Sequence, residues 1–149
     1  MYTSEYVMSV DFEKYIKSIM GNTYFKECQG LFGIPDFVCF SKLDTGIKVV
    51  SFELKLKNWK GAMIQAFRYR SFSDYSYVVL PEETASKAFN HIELFKKYGI
   101  GLVSFRKDKY VIMYSPIQSH PLSLQLREKA ETKIKKSRKK SHETVNVLL

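Results

Sequence analysis

Along Ile47–Lys57 the side chains alternate with a period of two. Val50, Phe52, Leu54 and Leu56 fall on one side; Val49, Ser51, Glu53, Lys55 and Lys57 fall on the other. Successive strand side chains point to opposite faces, so the pattern predicts a β-strand. Tyr75–Leu80 is a continuous apolar run of the buried-strand kind. Ile100–Phe105 reads as another strand, and Tyr110–Tyr114 returns from it across a Lys107-Asp108 turn. Two shorter strands are expected at Tyr24–Gln29 and Ile34–Phe40, with Gly30–Gly33 as a turn. Lys42–Gly46 has the composition of a hairpin loop.

The helical period takes over elsewhere. Thr3 or Ser4 can cap a helix that runs to about Met20 and stops at Gly21-Asn22. Its apolar stripe is Tyr6, Phe12, Ile16, Ile19 and Met20, with Glu5 mid-stripe and Glu13 at the edge. Asn58 can cap a second helix from Trp59 to about Ser73, whose stripe holds Trp59, Met63, Ala66, Phe67 and, at its edge, Ala62. Pro81-Glu82-Glu83 opens a third, with acids in the first turn, Lys96 and Lys97 in the last, and Gly99 as the stop. The order α-β-β-β-α-β-α-β-β predicts an α/β fold, a mixed β-sheet flanked by helices with right-handed crossovers. Residues 1–115 form the expected domain. Ser115–Pro121 reads as a linker, so residues 116–149 are expected to be linker and a basic, helical tail.

Composition narrows the class. The chain has 149 residues, 45% hydrophobic and 26% charged, which suits one globular domain with a real core. No apolar run approaches the roughly 20 residues that span a bilayer, and Met1–Val10 lacks a secretory pattern, so no membrane association and a cytoplasmic location are expected. Cys28 and Cys39 read as free buried thiols. His91, His120 and His142 are scattered and polar-flanked, and all three read as non-catalytic. The net charge is +9 and suggests a polyanionic partner, but most of it lies between Arg127 and Lys140. That stretch either binds phosphates or is a solvated helix.

The candidate chemistry sits where charge interrupts apolar strands. Asp36 stands in Gly33-Ile34-Pro35-Asp36-Phe37-Val38, and a buried carboxylate needs a partner, a metal or water. Glu53 and Lys55 share a strand face, their Cβ atoms about 6–7 Å apart. If the Asp36 strand and the Glu53 strand form a hairpin, the two carboxylates fall nearly opposite each other. Two such carboxylates repel unless a cation sits between them, and Mg²⁺ uses one or two carboxylates with waters and a phosphate oxygen. A lysine beside them can orient the attacking water and steady charge developing on phosphorus. Gln65 and Tyr69 lie one turn apart on the second helix.

In these residues the chain resembles the PD-(D/E)XK nuclease superfamily, in particular the RecB-like branch with a Gln-X-X-X-Tyr helix. The matching positions are Pro35-Asp36, Glu53-Leu54-Lys55 and Gln65-Ala66-Phe67-Arg68-Tyr69, within a stretch from Gly33 to Phe105. The resemblance implies a restriction-endonuclease-like fold and a metal-dependent deoxyribonuclease. It further implies that Asp36 and Glu53 ligate Mg²⁺ or Mn²⁺, with the Leu54 carbonyl as a further ligand. Lys55 would assist the water, and Gln65 and Tyr69 would position Lys55 or the scissile phosphate. A first-helix acid often completes such sites; Glu5 is the first candidate, Glu13 the second and Glu27, outside that helix, the third. Lys57, Lys60, Arg68 and Arg70 are candidate backbone contacts. The implied partner is DNA, with a second copy or another subunit as helper. The other reading is a non-catalytic nucleic-acid- or protein-binding module of the same fold, or a small subunit of a larger nuclease.

Overall fold

The computed structural model describes residues 2–140 and 144–149. One six-stranded sheet organises it, in the order β1 (Tyr24–Lys26), β2 (Phe37–Leu43), β3 (Gly46–Leu54), β4 (Tyr75–Leu80), β5 (Gly101–Arg106), β6 (Lys109–Tyr114). Sequence order and spatial order coincide. β1, β2 and β3 are antiparallel neighbours, β3, β4 and β5 run parallel, and β6 returns antiparallel. The expected α/β class with a mixed sheet is thus observed.

Helix α1 (Glu5–Met20) covers one face. The Ser4 hydroxyl accepts from the Val7 N–H and caps it. Its buried stripe is Met8, Phe12, Ile16 and Met20. The expected stripe was rotated: Tyr6 is exposed and Met8 takes its place. Phe12 anchors the layer, its ring 5.1–5.3 Å from those of Phe37, Phe52 and Phe105.

The opposite face carries α2 (Trp59–Tyr69), α3 (Glu82–Phe89) and α4 (Ile92–Tyr98). α2 ends at Tyr69, four residues before the expected end, and tight turns follow from Arg70 to Ser73. Ala62, Met63 and Ala66 face the core, whereas Phe67, expected in the stripe, is exposed. The Ser76 hydroxyl donates to the Ala66 carbonyl at 2.6 Å and pins α2 to β4. The expected third helix is two, broken at Asn90 and His91.

The segment read as a separate tail belongs to the core. Helix α5 (Leu124–Ser137) lies on the α2 face, with Ala130 and Ile134 packed against Val38, Phe40, Val49 and Phe72. Buried Arg127 holds it there. Its guanidinium pairs with Asp74 at 3.0 Å and Glu131 at 2.8 Å, and donates to the Phe72 and Ile47 carbonyls. A 3-10 turn, Val145–Leu148, sits on the other face, where both named residues are fully buried with the α1 core. The Val145 N–H donates to the Ser41 hydroxyl, and Tyr110 donates to the Leu148 carbonyl. Helix α5 and the Val145–Leu148 turn therefore pack into the domain that was expected to end at 115. A chain cut after Leu126 would lose the buried Ala130, Ile134, Val145 and Leu148 together with the basic residues.

Candidate active site

The β2–β3 hairpin builds the site. Its turn is tighter than expected, since Leu43 pairs with Gly46 across Asp44 and Thr45. That turn sets the register Phe37 to Phe52, and one further step places Asp36 opposite Glu53. Asp36 lies just before β2 rather than inside it. Pro35 has no N–H to give a ladder, so regular pairing begins only at Phe37. The chain still holds Asp36 in place, because its carbonyl accepts from the Glu27 N–H at 2.9 Å.

Asp36 Oδ2 accepts from the Leu54 N–H at 2.7 Å. Leu54 thus contributes its N–H to the site, a role distinct from the expected carbonyl ligand. Glu53 is 8% exposed, and its Oε1 accepts from the Tyr69 hydroxyl at 2.5 Å. Tyr69 was expected to position Lys55 or a phosphate; in the structure it positions Glu53. Burial raises the Tyr69 hydroxyl far above its ordinary range, and the bond to Glu53 raises it further, so Tyr69 is a fixed donor.

Both carboxyls hold their protons more tightly than usual. Asp36 is pushed up to about 6, first by burial, against the Leu54 N–H that favours its charge. The charges of Glu5 and Glu27 push in the same direction as burial. Glu53 is pushed up to about 7, first by burial and then by the Asp36 carboxylate. β3 ends at Leu54, three residues before the expected end, and Lys55, the next residue, lowers both. Its backbone N–H donates to Val79, and Thr84 donates to the Leu56 carbonyl, which ties the turn after β3 to α3.

The acids that could add to the pair are now placed. Glu5 opens α1 on the same stripe as Met8 and Phe12, and its carboxylate accepts from the Leu56 N–H at 3.5 Å. It stands on the rim, near enough to act on both buried carboxyls. Glu27 is exposed beside Asp36. Glu13 is engaged elsewhere, accepting from Tyr24 at 2.6 Å and Lys26 at 3.3 Å. Among the described residues, no group of three or more His, Cys, Asp or Glu could hold a metal ion. The donor set that fits is the Asp36–Glu53 pair: hard oxygens, largely withdrawn from water and mutually repelling, which suits Mg²⁺ or Mn²⁺ with waters completing the shell. Cys28 and Cys39 are free and buried, and His142 lies outside the described residues.

Gly33 is a positioning residue that sequence reasoning passed over as turn material. Its φ is +77°, and a Cβ there would stand 2.9 Å from Tyr69 Cε1 and 3.8 Å from Gln65 Oε1. Gln65 itself accepts from Arg68 at 3.2 Å. We expect Gly33→Ala to lower stability by about 1–2 kcal/mol from backbone strain alone. It should also move Tyr69 away from Glu53. A thermal melt checks the first effect and the Tyr69 hydroxyl environment by NMR the second.

Comparison with known proteins finds no matching family model, no matching curated protein and no matching solved structure.

Proposed function

We propose that the protein is a Mg²⁺- or Mn²⁺-dependent deoxyribonuclease of the PD-(D/E)XK kind. The observation that carries this reading is the meeting of Asp36 and Glu53, two largely buried carboxyls whose protons are held tightly by burial and, at Glu53, by the other's charge. Such a pair is costly to ionise alone and becomes favourable around a divalent cation. Asp36 and Glu53 would hold the ion, which when bound supplies positive charge to the scissile phosphate and acidifies a water. The Leu54 N–H and the Tyr69 hydroxyl fix one oxygen on each carboxylate, leaving the others free. Lys55 orients the water and offsets charge on phosphorus. The scissile strand would be held through its phosphates, largely without regard to base sequence.

The test is cleavage of circular and linear, single- and double-stranded DNA with Mg²⁺, Mn²⁺ or EDTA. Cutting that requires metal supports the reading; no cutting on any of these substrates rejects it. The second reading, a non-catalytic nucleic-acid-binding domain, is favoured by one observation: no third acid joins the pair closely enough to complete a ligand group among the described residues. A metal titration separates the two. We expect Mg²⁺ or Mn²⁺ to raise the melting temperature of the wild type and not of Asp36→Asn. Lys55→Met should keep that metal-dependent rise and lose cleavage by about 10²-fold or more. If Lys55→Met cut at the wild-type rate, Lys55 would have no part in the chemistry.

A further inference from the structure

The outward face of α2 remains unused by the site. It presents Lys60, Ile64, Phe67 and Arg68, and the helix contains no acidic residue. Ile64 is 58% exposed and Phe67 39%. At one border of this face, the Arg68 guanidinium lies 5.7 Å from the ring of Phe32, itself 47% exposed. At the other border, Phe67 meets Tyr98 edge-to-face at 5.8 Å. Arg70 stands 5.5 Å from the Phe67 ring and Lys97 5.5 Å from that of Tyr98. Three exposed aromatic rings thus each carry a cation.

Those cations, Arg68, Arg70 and Lys97, are not neutralised by carboxylates among the described residues. Arg70 donates to the Tyr98 carbonyl and Arg68 to Gln65, so both guanidinium groups are held in place. The strip also borders Tyr69, the residue that holds Glu53. Phe32 precedes Gly33, whose backbone abuts Tyr69, and Arg68 is the helical neighbour of Tyr69.

Exposed rings of this kind call for flat apolar partners, and single-signed charge calls for anions. An unpaired nucleic-acid strand offers both in alternation: base faces that stack on rings and phosphates that pair with cations. A duplex hides its base faces in its own stack, so it would leave the rings idle. We propose that this strip binds an unpaired segment of nucleic acid and leads it to the Asp36–Glu53 pair. The second half of that statement rests on the hydrolase reading above; the binding itself does not.

The experiment is equilibrium binding of a fluorescein-labelled oligothymidylate, and of a blunt duplex of equal length, to the full chain in EDTA. We expect the single strand to bind more tightly. Phe67→Leu and Tyr98→Leu, both at exposed positions, should each weaken single-strand binding about tenfold with an unchanged salt dependence. Arg68→Ala should flatten the slope of log affinity against log salt by about 0.7, one phosphate contact on a single strand. Circular dichroism confirms that each variant is folded. Equal binding of duplex and single strand overturns the proposal, as does full affinity in both Leu variants or no binding of either oligonucleotide. If instead the strip behaves as expected and no DNA is cut with any metal, the hydrolase reading fails and the binding strip stands.

Discussion

Asp36→Asn and Glu53→Gln should each reduce DNA cleavage by about 10²–10³-fold while the protein remains folded. Each substitution removes one of the two acidic groups where the fold brings the largely buried Asp36 and Glu53 carboxyls together. The amide keeps the shape, and its oxygen can still accept from the Leu54 N–H or the Tyr69 hydroxyl. What disappears is the charge that would hold a divalent ion, and removing one such electrostatic contribution typically costs 10²–10³ in rate even when the rest is intact. The same variants should be more stable than the metal-free wild type at neutral pH. Glu53 has an ordinary value of 4.5 and a folded value of about 7, so the folded state binds the proton more tightly. Its favourable contribution is complete below about pH 4.5 and is lost as pH rises through about 7. Above that range the wild type carries a buried charge that the Gln variant lacks. Melting temperatures in EDTA at pH 5 and pH 8 test this: the gain from Glu53→Gln should appear at pH 8 and shrink at pH 5. A loss of stability at pH 8 would mean that Glu53 is a structural carboxylate, and undiminished cleavage would remove it from the site.

Arg127→Met should be the most destabilising single change outside the hydrophobic core, at about 3–5 kcal/mol. Its guanidinium serves four partners, two carboxylates and two backbone carbonyls, within a buried environment. Removing it leaves Asp74 buried and charged, while Asp74 still accepts from the Val49 N–H at 2.8 Å. The double variant Arg127→Met, Asp74→Asn should recover part of the loss, because the amide oxygen can still serve Val49 without an unpaired charge. Urea denaturation of the two variants measures the difference. A single variant with wild-type stability would show that α5 docks through Ala130 and Ile134 alone.

The parts of this molecule that local pattern dictates were legible in the chain. Alternation along β3 placed Glu53, whereas Lys55, expected on the same strand, falls just past its end at Leu54; the other strands predicted an α/β sheet with helices on its faces. The carboxylate pair was legible too, because a hairpin with few turn residues leaves little freedom in register. Pairing across a two-residue turn rather than a longer loop set Asp36 opposite Glu53, a detail of turn geometry that composition alone did not decide. The role of Tyr69 was less visible, since spacing shows that two residues share a helix face and not which neighbour they meet. Gly33 was hidden because its meaning lies in a side chain 36 positions away, which only the folded contact reveals. The docking of α5 was obscured by charge. Leu126, Ala130 and Ile134 recur at four-residue intervals, but the lysines around them read as a solvated helix. Arg127, counted among the basic residues of a tail, is the one whose charge is consumed inside the protein.

The burial of Val145 and Leu148 beside α1 has a consequence for synthesis. These side chains share a core with Met8, Phe12 and the inner face of β3, so the first and last described turns of the chain solvate one another. A nascent chain lacking residues 145–149 exposes that apolar seam, whatever its sheet has already formed. Closing it joins segments more than a hundred residues apart, a non-local step of the kind that slows folding. The interval between emergence of β6 and emergence of this turn is therefore the window in which a chaperone would have something to hold.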